Sequence, residues 1–176
     1  MRAAKRIERV RELLVSQNLD AIVVRSNSDL MWLTGFENVF DTEQAHVAVI
    51  TRDYCVLHTD SRYVTAMSER AQYEGIWQVD ASRMREPQFV AQALKDLSLV
   101  TGRIAIDTAM PLAMYRAYSD EMPNARFKER SGDILSLRAV KDADEIALMK
   151  AAQEVASKEF IETLGQVSAG VTEREV

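Results

Sequence analysis

The chain has 176 residues, of which 47% are hydrophobic and 28% charged, with a formal net charge of −5. An acidic chain makes nucleic acid a poor partner, because phosphate binding needs a basic surface. No apolar run approaches the roughly 18 residues that span a bilayer, and the charged first dozen residues lack the apolar stretch of a signal peptide. One cysteine, Cys55, allows no internal disulfide. The expectation is a cytoplasmic protein with a self-sufficient core.

Helical spacing of Ile7, Val10 and Leu14 predicts a helix over 3–18, ended by Asn18. Asp20–Val24 reads as a short buried strand. Ser26-Asn-Ser-Asp29 offers capping side chains for a short helix, Leu30–Thr34, and Gly35 stops it. Residues 36–44 form a polar loop holding Phe36 and Phe40. Ala45–Thr51 and Cys55–Thr59 flank Arg52-Asp53-Tyr54 as a β-hairpin. Helices are then expected at 62–70, 86–97 and 112–121, the last after Pro111. They alternate with strands at 76–80, 103–106 and 125–128. Single strands alternating with helices imply an α/β layer structure, and the hairpin makes its central sheet mixed rather than all parallel.

Past residue 140 the character changes. Asp142-Ala-Asp-Glu145 is a capping box that opens a long helix to about residue 166. Its apolar stripe is expected along Ile146, Met149, Ala152, Val155, Phe160, Leu164 and Val167. Ser168-Ala-Gly170 breaks it, and Thr172-Glu-Arg-Glu175 is a second capping box. One helical turn does not repay its nucleation cost, so the expectation is a chain that continues in its natural setting.

Four stretches then resemble the N-terminal domain of the creatinase/prolidase/aminopeptidase P family. They are Leu19–Val24 (its first strand), Asn27–Phe36 (N-x-x-Y-L-T-G-F, with Trp32 in place of Tyr), His58–Tyr63 (T-D-x-R-Y) and Arg138–Met149 (R-x-x-K-D-x-x-E-I-x-x-M). Gly170–Val176 further resembles the start of the catalytic domain's second helix. The loop 37–44 is longer than the Gly/Ser-rich turn common in the family. The resemblance implies a ribonuclease H-like α/β domain over 1–137. It also implies that 138–176 is a linker and the first helix of a pita-bread catalytic domain.

The resemblance implies a parent that hydrolyses peptide bonds next to proline, using two divalent metal ions (Mn, Co or Zn) held by two Asp, one His and two Glu. All five ligands are expected downstream, so neither metal ligands nor catalytic residues are assigned to this chain. Its role would be subunit assembly, as a homodimer, and substrate gating against the catalytic domain. The alternatives are a non-enzymatic protein-binding module of the same architecture and a creatinase-like amidinohydrolase.

Candidates for gating or interface contact are Trp32, Phe36, Phe40, Arg62 and Tyr63. Arg62 has a fork suited to a peptide carboxylate, against the plainer role of pairing a nearby acid. The aromatics have the plainer role of core packing. His46 and His58, on the hairpin strands, face opposite sides if the loop has two residues and become diagonal neighbours if it has three. Neither arrangement supplies a metal-ligand set without Asp60 or Glu43. Asp60, Asp80 and Asp107 at strand ends carry turn and cap chemistry more readily than a nuclease metal site. Cys55 reads as a buried strand residue.

Overall fold

A computed structural model describes residues 2–36, 38–130 and 132–175. Glu37 of the expected loop and Val176, which follows the second capping box, lie outside the described residues. The chain divides into two compact units, Met1–Arg138 and Ala139–Val176.

In the first unit the helices are α1 (Arg2–Ser16), α2 (Asn27–Thr34), α3 (Val64–Glu74), α4 (Glu86–Asp96), α5 (Leu112–Glu121) and α6 (Asp133–Ala139, whose last residue falls in the second unit). The strands are β1 (Ala21–Val24), β2 (His46–Thr51), β3 (Cys55–Thr59), β4 (Gln78–Asp80), β5 (Arg103–Ile106) and β6 (Arg126–Glu129). They form one sheet in the order β4-β3-β2-β1-β5-β6. Only β2 runs against its neighbours; β3 and β4, and β1, β5 and β6, pair in parallel.

The side-chain alternation of strands sorts the core into two layers. Ile22, Val24, Ala48, Ile50 and Leu57 point to one face, where Ile7, Val10 and Leu14 of α1, Leu30 and Leu33 of α2, Met67 of α3 and Ile134 of α6 cover them. Ala21, Val23, Val47, Val49, Ile104 and Ile106 point to the other. There they meet Phe89, Val90 and Leu94 of α4 and Tyr118 and Met122 of α5. Both layers are buried, which is why β1, β2 and β3 read as nearly continuous apolar runs.

Local signals set most boundaries. Asn18 adopts a left-handed φ of 55° just past α1, and Gly35 (φ 70°) closes α2 by donating its N–H to the Met31 carbonyl. α2 starts at Asn27 rather than Leu30, because Ser26 alone is the cap, its Oγ accepting from the Asp29 N–H at 3.4 Å. α3 begins at Val64 rather than 62 and ends at Glu74 rather than 70, with Gly75 as its C-cap. Helix α6 has no counterpart among the expected elements. It is only seven residues long, too short to show a period, and it is held by burial of Ile134 and by Arg9 donating to the Leu137 carbonyl at 2.8 Å.

The second unit carries α7 (Ala143–Leu164). Asp142 Oδ1 accepts from the Glu145 N–H at 2.8 Å and Glu145 Oε2 accepts from the Asp142 N–H at 2.9 Å, the expected capping box. The second box is half formed: Glu175 Oε2 accepts from the Thr172 N–H at 2.9 Å. The expected single stripe is corrected here. Steps of three turn a helix by about 60° each time, so Ile146, Met149, Ala152 and Val155 wind around the axis rather than line one face. Ile161 lies outside that arc, and all the large apolar residues of α7 are exposed, from 43% at Ile146 to 69% at Ile161.

Candidate functional site

The hairpin register settles the histidine question. His46 pairs with Thr59, Val47 with His58 and Ile50 with Cys55, and the Thr51 N–H donates to the Tyr54 carbonyl. The loop therefore has two residues, and the two imidazoles lie on opposite faces of the sheet. His58 stacks on Phe89, with ring centroids 4.4 Å apart, and its Nδ1 lies 2.7 Å from Asp80 Oδ2.

His46 is 2% exposed. Its Nδ1 lies 2.8 Å from Thr59 Oγ1, and its Nε2 has no hydrogen-bond partner among the described residues. Phe40 and Tyr63 meet it edge-on, at centroid distances of 5.2 and 4.6 Å. Burial pulls its pKa below the ordinary histidine value; the carboxylates of Asp41, Asp60 and Glu43 oppose that pull.

A polar strap lies over this histidine. Tyr63 donates its hydroxyl to Asp41 Oδ2. Asn27 Nδ2 donates to the carbonyls of Asp41 (2.6 Å) and Glu43 (2.7 Å) and so ties the loop to the start of α2. Arg62 spreads its fork between two acids: Nη1 and Nη2 meet Glu43 at 3.0 and 2.6 Å, and Nη2 and Nε meet Asp60 at 2.6 and 3.2 Å. Its side chain stays 55% exposed. The Asp41 hydrogen bond pushes the Tyr63 phenol up to about 12.

The structure thus brings Phe40, Arg62 and Tyr63 together around His46, with Asp41 and Glu43 from the loop. Trp32 lies elsewhere on the same α2 layer, with the guanidinium carbons of Arg6 and Arg9 at 5.0 and 5.9 Å from its ring. Phe36 is a core residue, 2% exposed. Asp41 carried no signal of its own in the sequence, since its partner Tyr63 is 22 residues away. Cys55 is buried, and burial lifts its thiol to about 11 despite Arg11 nearby.

Among the described residues no group of three or more His, Cys, Asp or Glu is placed to hold a metal ion. Asp60 is engaged with Arg62, Asp80 with His58 and Ser82, and Asp107 with the Ala109 N–H. A dinuclear centre therefore does not fit the residues present, and no hydrolytic step is assigned to them. No described helix is long and apolar enough to cross a membrane.

Residues 6–140 match the Creatinase/Prolidase N-terminal domain family. The chain belongs to that family. The Uncharacterized peptidase YqhT of Bacillus subtilis (strain 168) is 24% identical over 169 residues, covering 96% of this chain and 45% of the relative. Among solved structures, a Xaa-Pro dipeptidase from Bacillus anthracis superposes with a TM-score of 0.84 at 24% identity. It covers 98% of this chain and 46% of that one. A recombinant prolidase from Thermococcus sibiricus gives a TM-score of 0.79 at 22% identity, over 99% of this chain and 47% of that one. The chain spans under half the length of these relatives. The mixed sheet between two helical layers lies within the matched residues, and the long helix α7 follows them.

Proposed function

We propose that this chain is the non-catalytic N-terminal domain of a metal-dependent peptidase that cleaves next to proline, and that it serves subunit assembly in a homodimer and substrate gating. The observation that carries this reading is coverage: 98% of the chain superposes on a Xaa-Pro dipeptidase while accounting for 46% of it. In this reading residues 138–176 are the linker and opening helix of a catalytic domain that holds two divalent ions. The many large apolar residues exposed on α7 support it, because extensive exposed apolar surface is the kind that other elements cover.

Gating is assigned to the exposed polar rim. Arg62 presents a guanidinium already shaped around two carboxylates, and exchanging Glu43 or Asp60 for the carboxylate of a short peptide preserves its geometry. Tyr63, Phe40 and Trp32 supply aromatic surface nearby or at a domain contact, and Phe36 anchors the α2 end beneath them.

Two measurements test the reading. The 176-residue chain is expected to show no turnover of an Xaa-Pro dipeptide with Mn²⁺. The protein translated through the coding region beyond Val176 is expected to carry two Asp, one His and two Glu at the family spacing and to hydrolyse the same substrate. Absence of those ligands would convert the reading to a binding module. Arg62→Ala in the longer protein is expected to raise KM; unchanged KM and kcat would remove Arg62 from gating.

A further inference from the structure

His46 can take up a proton in a place that cannot accommodate the charge. The residue is 2% exposed. An imidazolium donates from both ring nitrogens. Thr59 Oγ1, 2.8 Å from Nδ1, can accept one of those hydrogen bonds. No side chain or carbonyl among the described residues lies within hydrogen-bonding reach of Nε2. Neutral His46 leaves one nitrogen unmatched in either tautomer. The cation leaves a buried charge unmatched, which is far costlier. The geometry therefore opposes protonation for as long as the ring stays covered.

The cover is lightly built. Segment 40–45 runs from Val39, 5% exposed and part of the core, to the start of β2. Between these anchors Asp41, Thr42, Glu43 and Gln44 are exposed, and Phe40 supplies the apolar contact, edge-on to His46. The other ties are polar: Tyr63 to Asp41, Asn27 to the Asp41 and Glu43 carbonyls, and Arg62 to Glu43. A segment with so few buried apolar contacts opens at lower cost than the sheet it lies on.

Charged groups face His46 from two directions. Asp41 and Glu43 belong to the strap, and Asp60 and Arg62 to the turn after β3, beside the Tyr63 phenol. Hydrogen bonds from Tyr63 and from Arg62 hold Asp41 and Asp60 below the ordinary carboxylate value, so both keep their charge while a histidine titrates. The acids favour an imidazolium and Arg62 opposes it. Burial outweighs the acids and pulls the His46 pKa down from 6.5.

We infer that the strap 40–45 is a pH-sensitive cover: uptake of one proton by His46 releases it while the sheet beneath stays folded. Release gives Nε2 access to water, separates Glu43 from Arg62 and uncovers the rings of Phe40 and Tyr63. Asp60 keeps its hold on Arg62 from the neighbouring turn. The covered state holds the neutral ring, so it is favoured above the uncovered value of 6.5 and loses that advantage as pH falls below it. One proton shifts the opening equilibrium by at most about tenfold per pH unit. The device lies within residues 27–63 and stands whatever reaction the longer protein catalyses.

The test is NMR of the ¹⁵N-labelled 176-residue chain between pH 8 and pH 5. Hydrogen exchange of the Asn27 side-chain amide, held by two strap carbonyls, reads the strap. The backbone amides of Val49 and Leu57, inside the β1–β2–β3 ladder, read the sheet. After correction for intrinsic exchange, Asn27 protection is expected to fall by up to about tenfold per pH unit below pH 6.5 while the ladder holds. His46→Asn, with a dispersed spectrum confirming the fold, is expected to make Asn27 protection independent of pH. Tyr63→Phe keeps the ring against His46 and removes the tie to Asp41. It is expected to lower Asn27 protection at every pH and to move the His46 Hε1 titration up toward 6.5. The inference is overturned by pH-independent Asn27 protection in the wild type, by an equal loss in His46→Asn, or by ladder protection lost in step with Asn27. It is also overturned if His46 titrates at or above 6.5 with the strap still protected, the result expected when a nearby carboxylate receives the imidazolium in place.

Discussion

Replacing Tyr118 with Phe isolates one hydrogen bond in the layer that fixes α4 and α5 to the sheet. Tyr118 is fully buried, and its hydroxyl donates to Glu86 Oε1 at 2.6 Å. Glu86, the first residue of α4, also receives Arg25 from the end of β1, and both side chains are mostly buried at 15% and 12% exposure. Phenylalanine keeps the ring, and with it the contact to Phe127 at 6.3 Å, so no cavity forms. A hydrogen bond to a charged group contributes about 1.5–3 kcal/mol. Glu86 keeps its arginine in the variant, which places the loss near the lower end, about 1.5 kcal/mol. At about 4 °C per kcal/mol for a unit of this size, Tm falls by about 6 °C. Glu86→Gln removes the charge instead and strands the guanidinium of Arg25, which costs about 3 kcal/mol or more. Both tryptophans, Trp32 and Trp77, lie in the first unit, so urea unfolding followed by their fluorescence reads this unit selectively. The expected order of midpoints is wild type, Tyr118→Phe, Glu86→Gln, with the m-value unchanged. Burial and then the Glu86 charge push the Tyr118 phenol far above the ordinary tyrosine range, so the Tyr118→Phe difference is expected to be flat from pH 6 to pH 9. An unshifted midpoint in Tyr118→Phe, or one as low as that of Glu86→Gln, would refute the assignment of Glu86 as the charged hub.

His46 makes a pH-dependent contribution of definite sign. Its folded pKa is depressed by burial from 6.5, so the unfolded chain binds the proton more readily. The stability it contributes is whole above the unfolded value and drains away as pH falls through the folded one. The urea midpoint should fall on acidification below pH 6.5 more steeply in wild type than in His46→Asn; identical slopes would exclude His46 as the cause. Two glycines separate backbone strain from crowding. Gly35 has φ 70° with nothing within 4 Å of the place a methyl group would take, so Gly35→Ala should cost about 1 kcal/mol of backbone strain and Gly35→Asn less. Gly102 has an ordinary φ, but a Cβ there would sit 2.9 Å from the Leu99 carbonyl oxygen and 3.2 Å from Ile104 Cδ1. Gly102→Ala should therefore cost about 1–3 kcal/mol by displacement of packed backbone, measured by the same unfolding assay.

What the sequence disclosed follows the range of the forces involved. Ser26, Gly35 and the Asp142–Glu145 box act over three or four residues, so caps and stops are readable in place. The apolar runs of β1, β2 and β3 are readable because both sheet faces are covered, and the mixed sheet follows from the hairpin. The strap and the distant ion pairs depend on partners that no local window contains. Arg25 meets Glu86 across 61 residues, Arg62 meets Glu43 across 19, and Arg138 meets Asp29 across 109. For Arg62 the sequence offers a carboxylate as partner in either role, a substrate's in one and the chain's own in the other. The structure supplies the chain's own, because Asp60 lies two residues away and the hairpin carries Glu43 back to the same edge. That arrangement leaves the guanidinium in an exposed fork between two acids, and the proposed exchange of one of them for an incoming carboxylate rests on this geometry.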